Sequence, residues 1–104
     1  MNNDGAELLD WQLRAVGIAL EREYRFHRER LWRVDLADVG AKLAVEVEGG
    51  VFTGGRHNRG AGFTADCEKY AELAIAGWRL IRVTTGQVRD GLALGWVERA
   101  LGKV

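Results

Sequence analysis

Apolar residues recur along the chain in two alternating periods. Leu9, Leu13, Val16 and Leu20 follow helical spacing and predict an amphipathic helix over residues 6–20, with Asp4 as its N-cap. Tyr24 and Phe26 alternate in a short extended segment over 23–27. Residues 32–39 and 42–48 then alternate with period two and predict two strands about a turn at Gly40-Ala41. Residues 49–62 read as a loop that holds six of the fourteen glycines. Thr64 is placed to cap a helix over 65–76, apolar at Cys67, Tyr70, Ala71 and Ala74 and stopped by Gly77. A strand over 78–84 and a closing helix over 87–101 complete the order α-β-β-β-α-β-α. The fourth strand returns through a helical crossover. That predicts an α/β (α+β) fold with a mixed four-stranded sheet flanked by helices.

At 104 residues the chain has room for one domain, over 1–104, with one hydrophobic core. Its 47% apolar content and four tryptophans argue against disorder. Trp11, Trp32, Trp78 and Trp96 all fall at apolar positions, which favours core roles for them over base stacking. No apolar run nears the ~18 residues of a membrane span. Met1-Asn2-Asn3-Asp4 has neither the basic nor the apolar part of a secretory signal. The single cysteine, Cys67, reads as a small core residue. Together these lead us to expect a cytoplasmic protein with no membrane partner.

The formal net charge of zero hides an uneven distribution. Arg22, Arg25, Arg28, Arg30 and Arg33 lie among only two glutamates, and Arg56, Arg59, Lys69, Arg79 and Arg82 follow. Acids gather instead from Asp35 to Glu48. A basic surround with an acidic spot suits a metal site facing a phosphate backbone, although the same arginines also suit an ordinary solvated surface.

The hairpin narrows the choice. Pairing symmetric about Gly40-Ala41 sets Asp35 opposite Glu46, with Cβ atoms ~5 Å apart on one face of the sheet. Glu48 shares that face, because strand side chains alternate. Val34, Leu36, Leu43, Val45 and Val47 take the other face and form the core side. Three convergent carboxylates repel one another unless a cation or neighbouring arginines such as Arg33 and Arg82 neutralise them. Mg²⁺ needs only one or two carboxylates together with waters and substrate phosphate oxygens. It can polarise a phosphodiester and lower the pKa of a bound water.

Asp35, ten intervening residues and then Glu46-Val47-Glu48 on an apolar strand resemble the D…(D/E)-x-K signature of the PD-(D/E)XK nucleases. The inferred element order is similar to that superfamily's core over roughly residues 6–84. Asp66-Cys67-Glu68-Lys69-Tyr70 with Gly77-Trp78-Arg79-Leu80-Ile81-Arg82-Val83-Thr84 resembles its small branch of very-short-patch-repair and Holliday-junction-resolving enzymes, phage-encoded ones included. The resemblance implies a restriction-endonuclease-like core and a DNA endonuclease dependent on Mg²⁺, or Mn²⁺ in its place. It also implies a preference for branched or structured DNA.

One position departs from the signature. Glu48 stands where the family has lysine, so Glu48 would serve as a further metal ligand or general base. Lys69, on the helix after the loop, either supplies the missing charge or is a solvated helix-face lysine. Glu7 matches a first-helix ligand of some family members, and equally suits the dipole of a first turn. In the glycine-rich loop, Arg56 and Arg59 can neutralise phosphates, with Arg33 adding to them. His57 either assists the leaving group, contacts a phosphate or does neither. That loop is not a Walker loop, since the Gly-Lys-Ser/Thr ending is absent. Three other functions stay open: a non-catalytic DNA-binding module, an RNA-processing nuclease and a protein-interaction domain. Cutting both strands of a duplex is simplest with two copies, so a homodimer is expected.

Overall fold

The structure, a computed structural model, describes residues 4–49 and 60–103. Its elements are α1 (Asp4–Ala15), β1 (Glu21–Arg25), β2 (Arg33–Asp38), β3 (Leu43–Glu48), α2 (Ala61–Ile75), β4 (Arg79–Thr84), α3 (Thr85–Arg89) and α4 (Leu92–Ala100). The strands form one mixed sheet in the order β1-β2-β3-β4, so the fold is the α+β type expected from the sequence. The first three strands are antiparallel, and β4 returns parallel to β3 through α2. No helix among the described residues is long and apolar enough to cross a membrane.

The β2-β3 register pairs Leu36 with Val45, Ala37 with Ala44 and Asp38 with Leu43, centred on Gly40-Ala41 as the alternation predicts. Asp38 Oδ1 accepts a 2.9 Å hydrogen bond from Ala41 N and ties the turn. Leu36, Leu43, Val45 and Val47 face Leu9 and Leu13 of α1, Val88 of α3 and Val97 of α4. The opposite face carries Val34, Ala37 and Ala44 beneath Leu73 of α2, with Trp78 and Leu80 at its margin.

Val34 is therefore not on the core face shared by the rest of its predicted set. Beside it, Glu23 of β1 has a left-handed φ of 51°, while the register holds on both sides at Arg22↔Leu36 and Tyr24↔Val34. This local twist at the Glu23–Asp35 position turns Val34 towards the α2 side.

Three helices end in one way. Gly17, Gly77 and Gly102 have φ of 86°, 91° and 70°. The N–H groups after them reach back, Ile18 to Leu13 O at 2.8 Å, Trp78 to Leu73 O at 3.1 Å and Lys103 to Glu98 O at 2.8 Å. This is the glycine-terminated Schellman arrangement. It stops α1 at Ala15, leaving Val16 exposed and Leu20 buried on the approach to β1, where a continuous helix to residue 20 was expected. The strand that follows covers Glu21–Arg25, slightly earlier than the alternation of Tyr24 and Phe26 suggests.

The crossover helix differs more from expectation. It begins at Ala61 with Gly60 as N-cap and no side-chain cap, and Thr64 N is already bonded to Gly60 O at 3.0 Å. Cys67, Ala71 and Ala74 are exposed, and Leu73 is the one buried residue of α2. Small residues lie all round this helix, so its only large aliphatic side chain near the sheet sets the inward face. Its C-terminal end is latched by Lys42 Nζ, 2.6 Å from Ala76 O. The predicted closing helix is two: Gly91, at φ 89°, separates α3 from α4. Thr84 and Gln87 cap α3 reciprocally, with Gln87 N to Thr84 Oγ1 at 3.1 Å and Thr84 N to Gln87 Oε1 at 3.0 Å. Trp11 is 69% exposed rather than core, while Trp32, Trp78 and Trp96 are half-buried.

Gly5 fixes the approach of α1 to the sheet. A Cβ built there would lie 2.7 Å from Val47 Cγ1 and 2.9 Å from Thr85 Oγ1. Alanine normally favours a helix interior by about 1 kcal/mol over glycine. Here the clash should reverse the sign, so Gly5→Ala is expected to lose about 1–3 kcal/mol in urea denaturation. An unchanged or higher midpoint would contradict this close packing.

Candidate active site

Alternation along β3 sends Ala44, Glu46 and Glu48 to the face under α2, and the parallel register sets Glu46 beside Arg82 of β4. Glu46 is the one buried charged residue among those described, at 8% exposure. Its Oε2 lies 3.0 Å from Lys69 Nζ, and its Oε1 accepts a 3.4 Å hydrogen bond from the Tyr70 hydroxyl. Lys69 is thus not a solvated lysine. It is half-buried, and α2 aims it at the strand.

Burial pushes the Glu46 carboxyl above its ordinary pKa. The charge and hydrogen bond of Lys69 pull it back, while the negative charges of Asp35 and Glu48 push it further up. Asp35 and Glu48 thus both raise the cost of charge on Glu46. Burial, and then the Glu46 charge, raises the Tyr70 hydroxyl well above its usual range, so it remains a proton donor.

Continuing the β2-β3 register sets Asp35 across from Glu46. Asp35 Oδ2 accepts a 2.8 Å hydrogen bond from Val47 N. The side chain thus takes a backbone donor just beyond the last ladder pair, Leu36↔Val45. Glu48 turns to β4 instead, with its Oε2 3.2 Å from Arg82 Nε and 3.1 Å from Arg82 Nη2. The Arg82 guanidinium lies 5.0 Å from the centre of the Tyr70 ring. Glu46 and Glu48 stand towards the C-terminal ends of the two parallel strands, where open α/β sheets bind their ligands.

The remaining expected residues are elsewhere or outside the described residues. Glu7 is exposed in the first turn of α1. Arg33, at the start of β2, lies 3.9 Å from Glu23 and does not pair with the hairpin acids. Arg56, His57 and Arg59 lie outside the described residues. Tyr70 is the member of the site that the sequence reading missed, since it was counted on the apolar face of its helix. Its neighbour Lys69 was the available signal.

No group of three or more His, Cys, Asp or Glu side chains able to hold a metal ion occurs among the described residues. A hard cation needs as few as two carboxylates, with water and phosphate oxygens completing its shell, and here Asp35 and Glu46 would be the two. Glu46 and Glu48 each already hold a cationic partner, Lys69 and Arg82. A scan against protein-family models gave no match, and searches of curated proteins and of solved structures gave none either.

The Lys69–Glu46 pair makes a pH-dependent contribution. Because the folded Glu46 carboxyl binds its proton more tightly than the unfolded one, its ionised form costs stability. That cost is absent well below the ordinary carboxylate range and complete above the folded pKa. Removing Lys69 raises the folded value further. Lys69→Met should therefore lose about 2 kcal/mol at neutral pH and progressively less as pH falls through the acid range, read by denaturant titration. A deficit independent of pH would contradict the pairing.

Proposed function

We propose that this chain is a metal-dependent nuclease of the PD-(D/E)XK type, hydrolysing phosphodiester bonds in DNA. The observation that carries the reading is the delivery of Lys69 Nζ to 3.0 Å from the buried Glu46 carboxylate, on the face that Asp35 also serves. The positive charge that the family signature places two residues after Glu46 is supplied here from the crossover helix. Glu48, in that strand position, holds Arg82 instead.

Asp35 and Glu46 would hold the divalent cation, Mg²⁺ or Mn²⁺. When bound, such an ion polarises the phosphodiester and favours ionisation of an attacking water. Lys69 orients Glu46 and presents a fixed positive charge where negative charge grows on the phosphate. Arg82, held by Glu48 and by the Tyr70 ring, gives a second cationic contact for phosphate oxygens, this one a guanidinium. A resolvase-like preference for branched DNA, and a homodimer to cut both strands, belong to this proposal through the resemblance alone.

A second reading has its own support. Glu46 and Glu48 are already neutralised by Lys69 and Arg82, which a DNA-binding module without catalysis would need. Cleavage of labelled single-stranded, duplex and four-way-junction DNA in Mg²⁺, Mn²⁺ and EDTA separates the two. The nuclease reading expects metal-dependent cutting, with Asp35→Asn, Glu46→Gln and Lys69→Met each slower by at least about 100-fold. It also expects Mn²⁺ to raise the melting temperature of the wild type and not of Glu46→Gln, because a ligand of the folded state stabilises it. No cutting in either metal, with DNA binding intact in all variants, would leave the binding module.

A further inference from the structure

Strand β4 pairs only with β3, so its outer edge is open among the described residues. Along that edge runs a groove of about 610 Å³, lined by Leu80, Ile81, Arg82, Trp96, Arg99 and Ala100. We infer that this groove is a subsite for a single DNA strand passing to or from the acid centre. The choice of occupant rests on the nuclease reading.

The chemistry of the lining supports it. Two arginines, Arg82 and Arg99, line the groove, and no acid lines it among the described residues. Arg99 is exposed in the last turn of α4 and makes no ion pair among the described residues. Arg82 belongs to both places: it lines the groove, and its Nη2 is 3.1 Å from Glu48 of the acid centre. A phosphate held by Arg82 therefore has the acid centre on one side and the groove on the other. The half-buried Trp96 lines the groove with the two arginines, and a base stacks on an exposed indole surface whatever its identity. Basic side chains tracking a backbone beside an aromatic platform are the general form of single-strand binding.

A second copy adding its own β4 to this edge fits less well. An antiparallel pairing centred on Leu80-Ile81 would set Arg79 of each strand against Arg82 of the other, and like charges opposed across a ladder destabilise it. An extended acidic peptide would satisfy the arginines, but nothing in the lining calls for its alternating side chains.

Titration of tryptophan fluorescence with short oligothymidylate in EDTA tests the groove without cleavage. The wild type should be quenched, and Trp96→Phe should lose most of the quenching while keeping its fold by circular dichroism. Arg99→Gln should bind about tenfold more weakly, with the slope of log affinity against log salt smaller by about 0.7. The proposal is overturned if oligothymidylate does not bind, or if quenching and affinity are unchanged in both variants. It is equally overturned if polyglutamate, or self-association seen by light scattering, produces the Trp96-dependent signal instead. Metal-dependent cutting by the wild type with unaltered oligothymidylate affinity in Arg99→Gln would sink the groove and spare the nuclease. Quenching that depends on Trp96 in a protein that cuts nothing would do the reverse.

Discussion

A carboxylate in the middle of an apolar strand needs an answering charge, and much of this architecture follows from where that charge comes from. From Leu43 to Val47 every residue of β3 is buried, because β2 and β4 flank the strand and helices lie on both faces. Glu46 is the one ionisable member of that run. An unpaired buried carboxylate costs several kcal/mol, and Lys69 offsets much of that cost from across the layer. The requirement also locates α2, which places Tyr70 beside the same carboxylate and only Leu73 deep in the core. The ion pair thus fixes which face of the crossover helix lies over Glu46.

Asp35 extends this logic into the backbone. Its carboxylate takes the Val47 N–H at 2.8 Å, so a side chain continues what the ladder began. On its other flank Glu23 adopts a φ of 51°, a conformation that β-sheet residues rarely hold. The two features meet at one level of the sheet and twist β2 there, which is why Val34 leaves the face of Leu36. The sheet is regular at the turn and irregular at the acids. Irregularity of this kind is often found next to sites that bind or react.

The hairpin register was legible because it depends on two local facts, strict alternation and a turn of defined centre. Asp35 across from Glu46 follows from both. Helix stops at Gly17 and Gly77 were likewise legible as glycines after periodic runs, although the first was read past, since Leu20 keeps helical phase beyond it. What could not be read is α2. Its composition has no strong apolar stripe, so nothing in the sequence alone separates Leu73 from Cys67, Ala71 or Ala74 as the inward residue. The destination of Lys69 follows from that face, and a lysine on a helix of uncertain phase carries no address. Trp11 fails for a related reason: α1 is sandwiched by neither sheet nor helix on that side, and hydrophobicity does not bury a residue without a partner.

The latch at Lys42 has a consequence for how this fold can vary. Lys42 Nζ holds Ala76 O, Trp78 N returns to Leu73 O, and Arg79 N bonds Lys42 O at 2.9 Å. The helix bearing Lys69 is thus moored from its C-terminal end, to the very turn that sets the hairpin register. This mooring lies at the opposite end of α2 from the connection that enters it. Doubling the length of such a connection adds only about 0.6 kcal/mol of closure entropy. A change of chain length ahead of α2 is therefore a small entropic term beside the hydrogen bonds that moor the helix at its other end.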